Sequence, residues 1–154
     1  MALYVDTNFL ARAYLPFAET DDVRELMDQA RTAGELPLPV TWLMRVELVN
    51  AFEQYVFTAR TSGQARVTPE LAAAAHASFH DDLRAGRALK RREIDTNDLV
   101  AQFESLALRH TARHGFRTCD LLHVASALLL GCGTFWTFVS RAKRLARLEG
   151  LATN

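Results

Sequence analysis

The sequence predicts an α/β fold with a mostly parallel central sheet covered by helices on both faces. Three observations predict it. Short β-prone runs alternate with helix-type periodicity along the chain, the pattern of strands joined by helical crossovers. The first run, Leu3-Tyr4-Val5, is apolar throughout, as a strand buried between two layers must be. The chain has 154 residues, 49% of them apolar, which suits one domain over 1–154 with one sizeable core.

Each element follows from a local signal. Residues 2–6 read as a short strand ending in Asp6, and residues 7–13 turn straight into a helix. Asp21 and Asp22 mark the next helix start, with Val23, Leu26, Met27 and Ala30 at helical spacing and Gly34 as the stop. Residues 36–40 are extended, and Pro37 and Pro39 place them at a sheet edge, because proline has no N–H for a central ladder. Leu43, Val46, Val49, Ala51, Phe52 and Val56 give residues 42–60 strong helical periodicity, broken at 61–63. Thr68 caps a helix that starts with Pro69 and Glu70 and runs to residue 84, before Gly86. Residues 88–94 read as a strand, and residues 95–97 cap a helix through His114, stopped by Gly115. A further helix covers 118–130, followed by the aromatic strand 134–138. Ser140 caps a basic last helix that ends at Glu149, before the turn at Gly150 and Leu151.

Charge is balanced, with 18 basic and 18 acidic residues, so bulk charge does not argue for a nucleic-acid partner. Its distribution is uneven. Residues 1–53 hold nine acids and four arginines, whereas residues 84–150 hold twelve basic residues and six acids. An acidic half beside a basic half suits a cation site flanked by a phosphate-attracting surface, and equally an ordinary solvated surface. Cys119 and Cys132 form no CxxC pair and are too far apart along one helical stretch to bridge. They read as small buried apolar residues, or at most one modifiable thiol, and fit a reducing cytoplasm. No signal-peptide pattern and no run long enough for a membrane span occurs, so a cytoplasmic chain without a membrane partner is expected.

Three acids interrupt apolar elements. Asp6 ends the buried first strand, with Thr7 and Asn8 as adjacent donors. Glu47 lies inside an apolar helical stretch on the face of Leu43 and Ala51. Asp120 occupies the first turn of the next-to-last helix, with His123 one turn later. Each acid alone also has a structural reading: Asp6 as a helix cap, Glu47 as half of an intrahelical pair or a helix-edge residue reaching water, Asp120 as a charge favoured by the helix N-terminus. His123 is placed to bond the Asp120 carboxylate or simply to pack. Parallel sheets bind ligands at the carboxyl ends of their strands, where Asp6 and the residues after Phe138 belong. Hard oxygen ligands favour Mg²⁺ or Mn²⁺ over zinc. Zinc-binding HExxH and Cys/His spacings, EF-hand loops, P-loops, GxGxxG and GxSxG patterns do not occur. A phosphatase-like hydrolase with Asp6 as nucleophile commonly wants a second acid two residues on, and position 8 is Asn.

Three stretches resemble PIN domains, and specifically the VapC-like toxins of bacterial toxin–antitoxin pairs: residues 4–10 (YVDTNFL), 45–51 (RVELVNA) and 115–127 (GFRTCDLLHVASA). Residues 135–146 with Gly150 and Leu151 look like that family's last strand and helix. The likeness covers almost the whole chain in the right order. It implies a three-layer α/β/α sandwich and a metal-dependent endoribonuclease acting on RNA, in a homodimer whose cognate antitoxin blocks the site. The family's acids map to Asp6, Glu47 and Asp120, with Thr7 and Asn8 supporting the first. Many relatives carry another aspartate right after the Thr-x pair of the last strand. Here Thr137 and Phe138 are followed by Val139, which cannot ligate metal, and Ser140 is left as a weak supporting group. The resemblance therefore implies either a weakened ribonuclease with one Mg²⁺ held by three acids, or an RNA-binding or partner-docking module of the same fold. Arg117, Lys143 and Arg144, in segments near the expected site, are the candidate phosphate contacts. The apolar faces of residues 21–33 and 42–60 are the candidate antitoxin surface, or plain core.

Overall fold

In chain order the elements are β1 (Leu3–Val5), α1 (Thr7–Tyr14), α2 (Thr20–Thr32), β2 (Leu38–Val40), α3 (Trp42–Ser62), α4 (Pro69–Ala85), β3 (Leu89–Arg91), α5 (Thr96–His114), α6 (Thr118–Leu129), β4 (Thr134–Trp136), α7 (Ser140–Leu148) and β5 (Ala152–Thr153). The computed structural model describes residues 2–63 and 67–154. β1 lies at the centre because all three of its side chains are fully buried. It pairs in parallel with β4, Tyr4 opposite Phe135, and β4 pairs in parallel with β5. β2 and β3 form a second parallel pair, Pro39 opposite Lys90, and β2 runs beside β1. Helices α1 to α4 pack on one another, as do α5 to α7, giving the three-layer α/β/α arrangement.

The prolines explain why the sheet divides. Leu38 N–H donates to Ala88 O at 2.8 Å and Arg92 N–H donates to Val40 O at 3.0 Å, so residues 38 and 40 turn their polar groups toward β3. Pro39 therefore turns toward β1, and it has no N–H to offer there. β2 is thus the edge of its own hydrogen-bonded pair, as expected, yet it sits inside the strand order beside β1.

Caps fix the helix starts. Thr41, Thr68 and Asp95 accept from backbone N–H groups of the first turns of α3, α4 and α5. Gly115 ends α5 at φ +69, and its N–H closes on Thr111 O at 2.8 Å. The core runs through the sheet to both helical groups and includes Tyr4, Phe9, Phe52, Phe79 and Phe135, all fully buried.

Four expectations need correction. Val139, not Ser140, is the N-cap of α7; Ser140 is its first helical residue and is exposed. The strands at 88–94 and 134–138 contract to three residues each. β5 was not anticipated, because two residues carry no periodicity. Cys119 is exposed, and the buried Cys132 lies beyond the end of α6. Among the described residues, no helix is long and apolar enough to cross a membrane.

Candidate active site

Asp6, Glu47 and Asp120 come from three elements distant in sequence, and all line one cleft of ≈ 420 Å³. β1 delivers Asp6, the first two turns of α3 deliver Glu47, and the first turn of α6 delivers Asp120. Thr7, Asn8, Cys119, His123 and Val139 line the same cleft.

Asp6 has two jobs at once. Its Oδ1 accepts from Phe9 N–H at 2.8 Å, capping α1, and its Oδ2 accepts from Thr137 Oγ1 at 2.5 Å. Thr137 Oγ1 in turn accepts from Val139 N–H at 2.9 Å, tying the end of β4 to the acid. Burial raises the Asp6 pKa; the charge of His123 and the hydrogen bonds from Thr137 and Phe9 pull the other way.

Glu47 is a quarter exposed. Its Oε2 accepts from Thr7 Oγ1 at 2.8 Å and meets His123 Nε2 at 2.5 Å. The other ring nitrogen, Nδ1, lies 2.9 Å from Tyr4 Oη. Burial lifts the Tyr4 pKa, which keeps its O–H available as a donor. Whether the ring is neutral with Tyr4 donating to Nδ1, or cationic, Nε2–H points at the Glu47 carboxylate. Burial opposes ionisation of Glu47, but the hydrogen bond and charge of His123, with donors from Cys119 and Thr7, lower its pKa to about 2. The reciprocal effect pushes the Cys119 thiol up to about 11, through its hydrogen bond to Glu47 and through burial.

Asp120 accepts from Arg117 N–H at 3.2 Å and from Arg141 Nε at 3.1 Å, both at Oδ2. The first bond is half of a capping box at the start of α6.

The remaining expected residues divide. Thr7, Asn8 and Thr137 stand beside the acids. Ser140, Lys143 and Arg144 instead line a separate groove on α7 with Arg147 and Leu148. Arg117 reaches Asp120 through its backbone, while its residue is exposed. His123 bonds Glu47 rather than Asp120. Four groups escaped sequence reasoning: Tyr4 and Arg141 as partners of the cluster, and Asn50 and Gln54, which line the cleft one and two turns after Glu47. Helical spacing from Glu47 was the signal that would have found the last two.

The donor chemistry fits a hard cation. Three carboxylates share the cleft, and Asn8 Oδ1 is a buried carbonyl oxygen with no hydrogen-bond partner among the described residues. As arranged, no three His, Cys, Asp or Glu side chains among those residues are gathered closely enough to hold an ion. His123 and Arg141 stand on two of the acids.

No family model matches the sequence, and no curated protein matches it. Solved structures do. VapC20 of Mycobacterium tuberculosis, a sarcin–ricin loop cleaving toxin, is 17% identical at a TM-score of 0.61, over 93% of this chain and 94% of that one. FitAcB from Neisseria gonorrhoeae is 17% identical at a TM-score of 0.57, over 98% of this chain and 95% of that one. These likenesses show that the chain has the PIN-like α/β/α fold.

Proposed function

We propose that this chain is a VapC-like toxin, an endoribonuclease that holds Mg²⁺ or Mn²⁺ with Asp6, Glu47 and Asp120 and cuts RNA. One observation carries the reading: three carboxylates from three distant elements line one cleft beside the carboxyl ends of β1 and β4. The fold shared with a sarcin–ricin loop cleaving toxin supports it. A hard ion bound there supplies Lewis acidity to a phosphodiester and lowers the pKa of water.

The chain's own residues prepare the site. Glu47 stays ionised at every physiological pH, because His123 and Thr7 hold its carboxylate. Thr137 fixes the rotamer of Asp6. Arg141, 40% exposed beside Asp120, can move from that carboxylate to a phosphate oxygen when RNA enters. Arg117, Lys143 and Arg144 extend the positive surface along the start of α6 and the outer face of α7.

A second reading has its own support. Val139 leaves an apolar wall in the cleft, and His123 and Arg141 already occupy two of the acids. A chain so arranged binds RNA or a partner without cutting. Incubation of a structured RNA with millimolar Mn²⁺, against a chelator control, separates the two. Metal-dependent cuts are expected, and Val139→Asp should raise the rate about tenfold or more by adding a ligand. RNA binding without turnover in either protein would discard the ribonuclease reading in favour of the second.

The toxin reading brings a homodimer and a cognate antitoxin. We assign the antitoxin to the groove of ≈ 670 Å³ lined by Val40, Trp42, Val46 and Val49. Trp42 and Val46 are 50% and 54% exposed there. Asn50 lines both this groove and the acidic cleft, so a segment seated in one lies against the other. Trp42→Ala should weaken antitoxin binding at least about tenfold in calorimetry and leave RNA cleavage unchanged. Unaltered affinity would remove the antitoxin from this groove.

A further inference from the structure

We propose that the far end of the acidic cleft is a subsite for an unpaired nucleobase, formed by Asn50, Gln54 and Tyr55 of α3. The inference deepens the ribonuclease reading and takes from it only the identity of the ligand as RNA.

Glu47, Asn50 and Gln54 follow one another at three- and four-residue spacing and all line the cleft, so they form one stripe on α3. Seven residues of helix carry that stripe about 10 Å from the acidic end. The chemistry changes along it. The acidic end holds three carboxylates; the far end holds two carboxamides, a phenol ring and Ala51, with no Lys or Arg among the cleft-lining residues. Another phosphate would find no cation on the lining itself. A neutral heterocycle with donors and acceptors on its edge finds both kinds of partner.

The amides are available. Asn50 and Gln54 are exposed, and their side chains make no hydrogen bond to any described residue. A carboxamide offers a donor and an acceptor together, which matches the Watson–Crick or Hoogsteen edge of a base. Tyr55 supplies an aromatic ring at the same end. It is half-buried, and its ring meets Phe17 edge-on at 4.7 Å between centroids. The Arg12 guanidinium sits over Phe17 at 5.1 Å and over Phe138 at 5.3 Å, so the platform behind Tyr55 is braced. Val139 and Ala142, from the start of α7, add apolar walls to the same cleft. Single-stranded RNA is recognised in this way, by stacking on aromatic rings and reading exposed base edges.

The test needs no catalysis. Binding of 2′-O-methyl hexamers of A, C and U is measured by fluorescence anisotropy with a chelator present, so that nothing turns over. The wild-type chain should separate the strongest from the weakest hexamer by about tenfold. The Asn50→Ala/Gln54→Ala variant should narrow that spread to less than about threefold, with the slope of affinity against salt unchanged, since phosphate contacts are untouched. Equal binding of the three hexamers by the wild-type chain overturns the subsite, as does a variant that keeps the spread or loses affinity equally for all three. No hexamer binding at all also overturns it and leaves the cleft to a protein ligand. Base preference that the variant abolishes, in a chain that cuts no RNA with Mn²⁺, upholds the subsite and defeats the ribonuclease reading alone.

Discussion

Two glutamates in this chain meet a histidine at 2.5 Å, and their surroundings differ. Glu149, at the C-cap of α7, takes His110 Nε2 and both arms of Arg109, at 2.8 and 3.1 Å. A guanidinium and an imidazole both hold its carboxylate, and the cluster fastens α5 to the end of α7. Glu47 takes His123 and Thr7, and it shares the cleft with Asp6, whose pKa its charge helps to raise. One acid is held by both arms of an arginine; the other is held by an imidazole and a hydroxyl and shares a cleft with two further carboxyl groups. The contrast teaches that a short Glu–His contact says little by itself. The charge count around it separates a fastener from a site.

The largest effect that could break this comparison is on rate. Glu47→Gln keeps an oxygen for Thr7 and His123 but removes the charge, and should cut metal-dependent RNA cleavage roughly 100- to 1000-fold in a variant whose circular dichroism is unchanged. Activity within a few-fold of wild type would make Glu47 another fastener. Next comes stability. Glu149→Gln should lower the free energy of unfolding by about 1–3 kcal/mol at neutral pH, measured in urea, while cleavage stays at the wild-type rate.

The smallest effect is on the acid limb of the stability curve. Burial raises the Glu149 pKa, but the hydrogen bonds and charges of His110 and Arg109 prevail and leave it below the usual carboxylate range. The unfolded chain therefore takes up this proton first as pH falls. Glu149 contributes fully above the unfolded value of about 4.3, and its contribution is lost as pH drops through the folded pKa. The Glu149→Gln curve should be flatter in that window; parallel acid limbs would contradict the cluster's role.

Much of the fold was legible in the sequence because its signals are local. The apolar run before Asp6, the Thr68-Pro69-Glu70 start and the Gly115 stop each depend on neighbours a few residues away. The three acids were legible as interruptions of apolar elements. Their partners were not. His123 lies 76 residues from Glu47 and Arg141 lies 21 from Asp120, and no periodicity encodes such pairs. Ser140 looked like the cap of α7 because serine favours that position, yet Val139 holds it, its N–H already bonded to Thr137. Lys143 and Arg144 were read as candidate phosphate contacts because their segment lies near the sheet edge, and they line a groove of their own on α7. The position of β2 beside β1 also depends on long-range packing, which Pro39 alone did not reveal.

Pro39 has a consequence for the metal-binding proposal. The strand that ends in Asp6 and the strand that leads into the helix of Glu47 share no ladder, so no rigid row of backbone bonds sets the separation of those two carboxylates. Packed side chains and the small polar bridge through Thr7 and His123 set it instead. Any ion held as proposed would therefore meet two carboxylates whose separation is set by side-chain packing and not by a shared ladder.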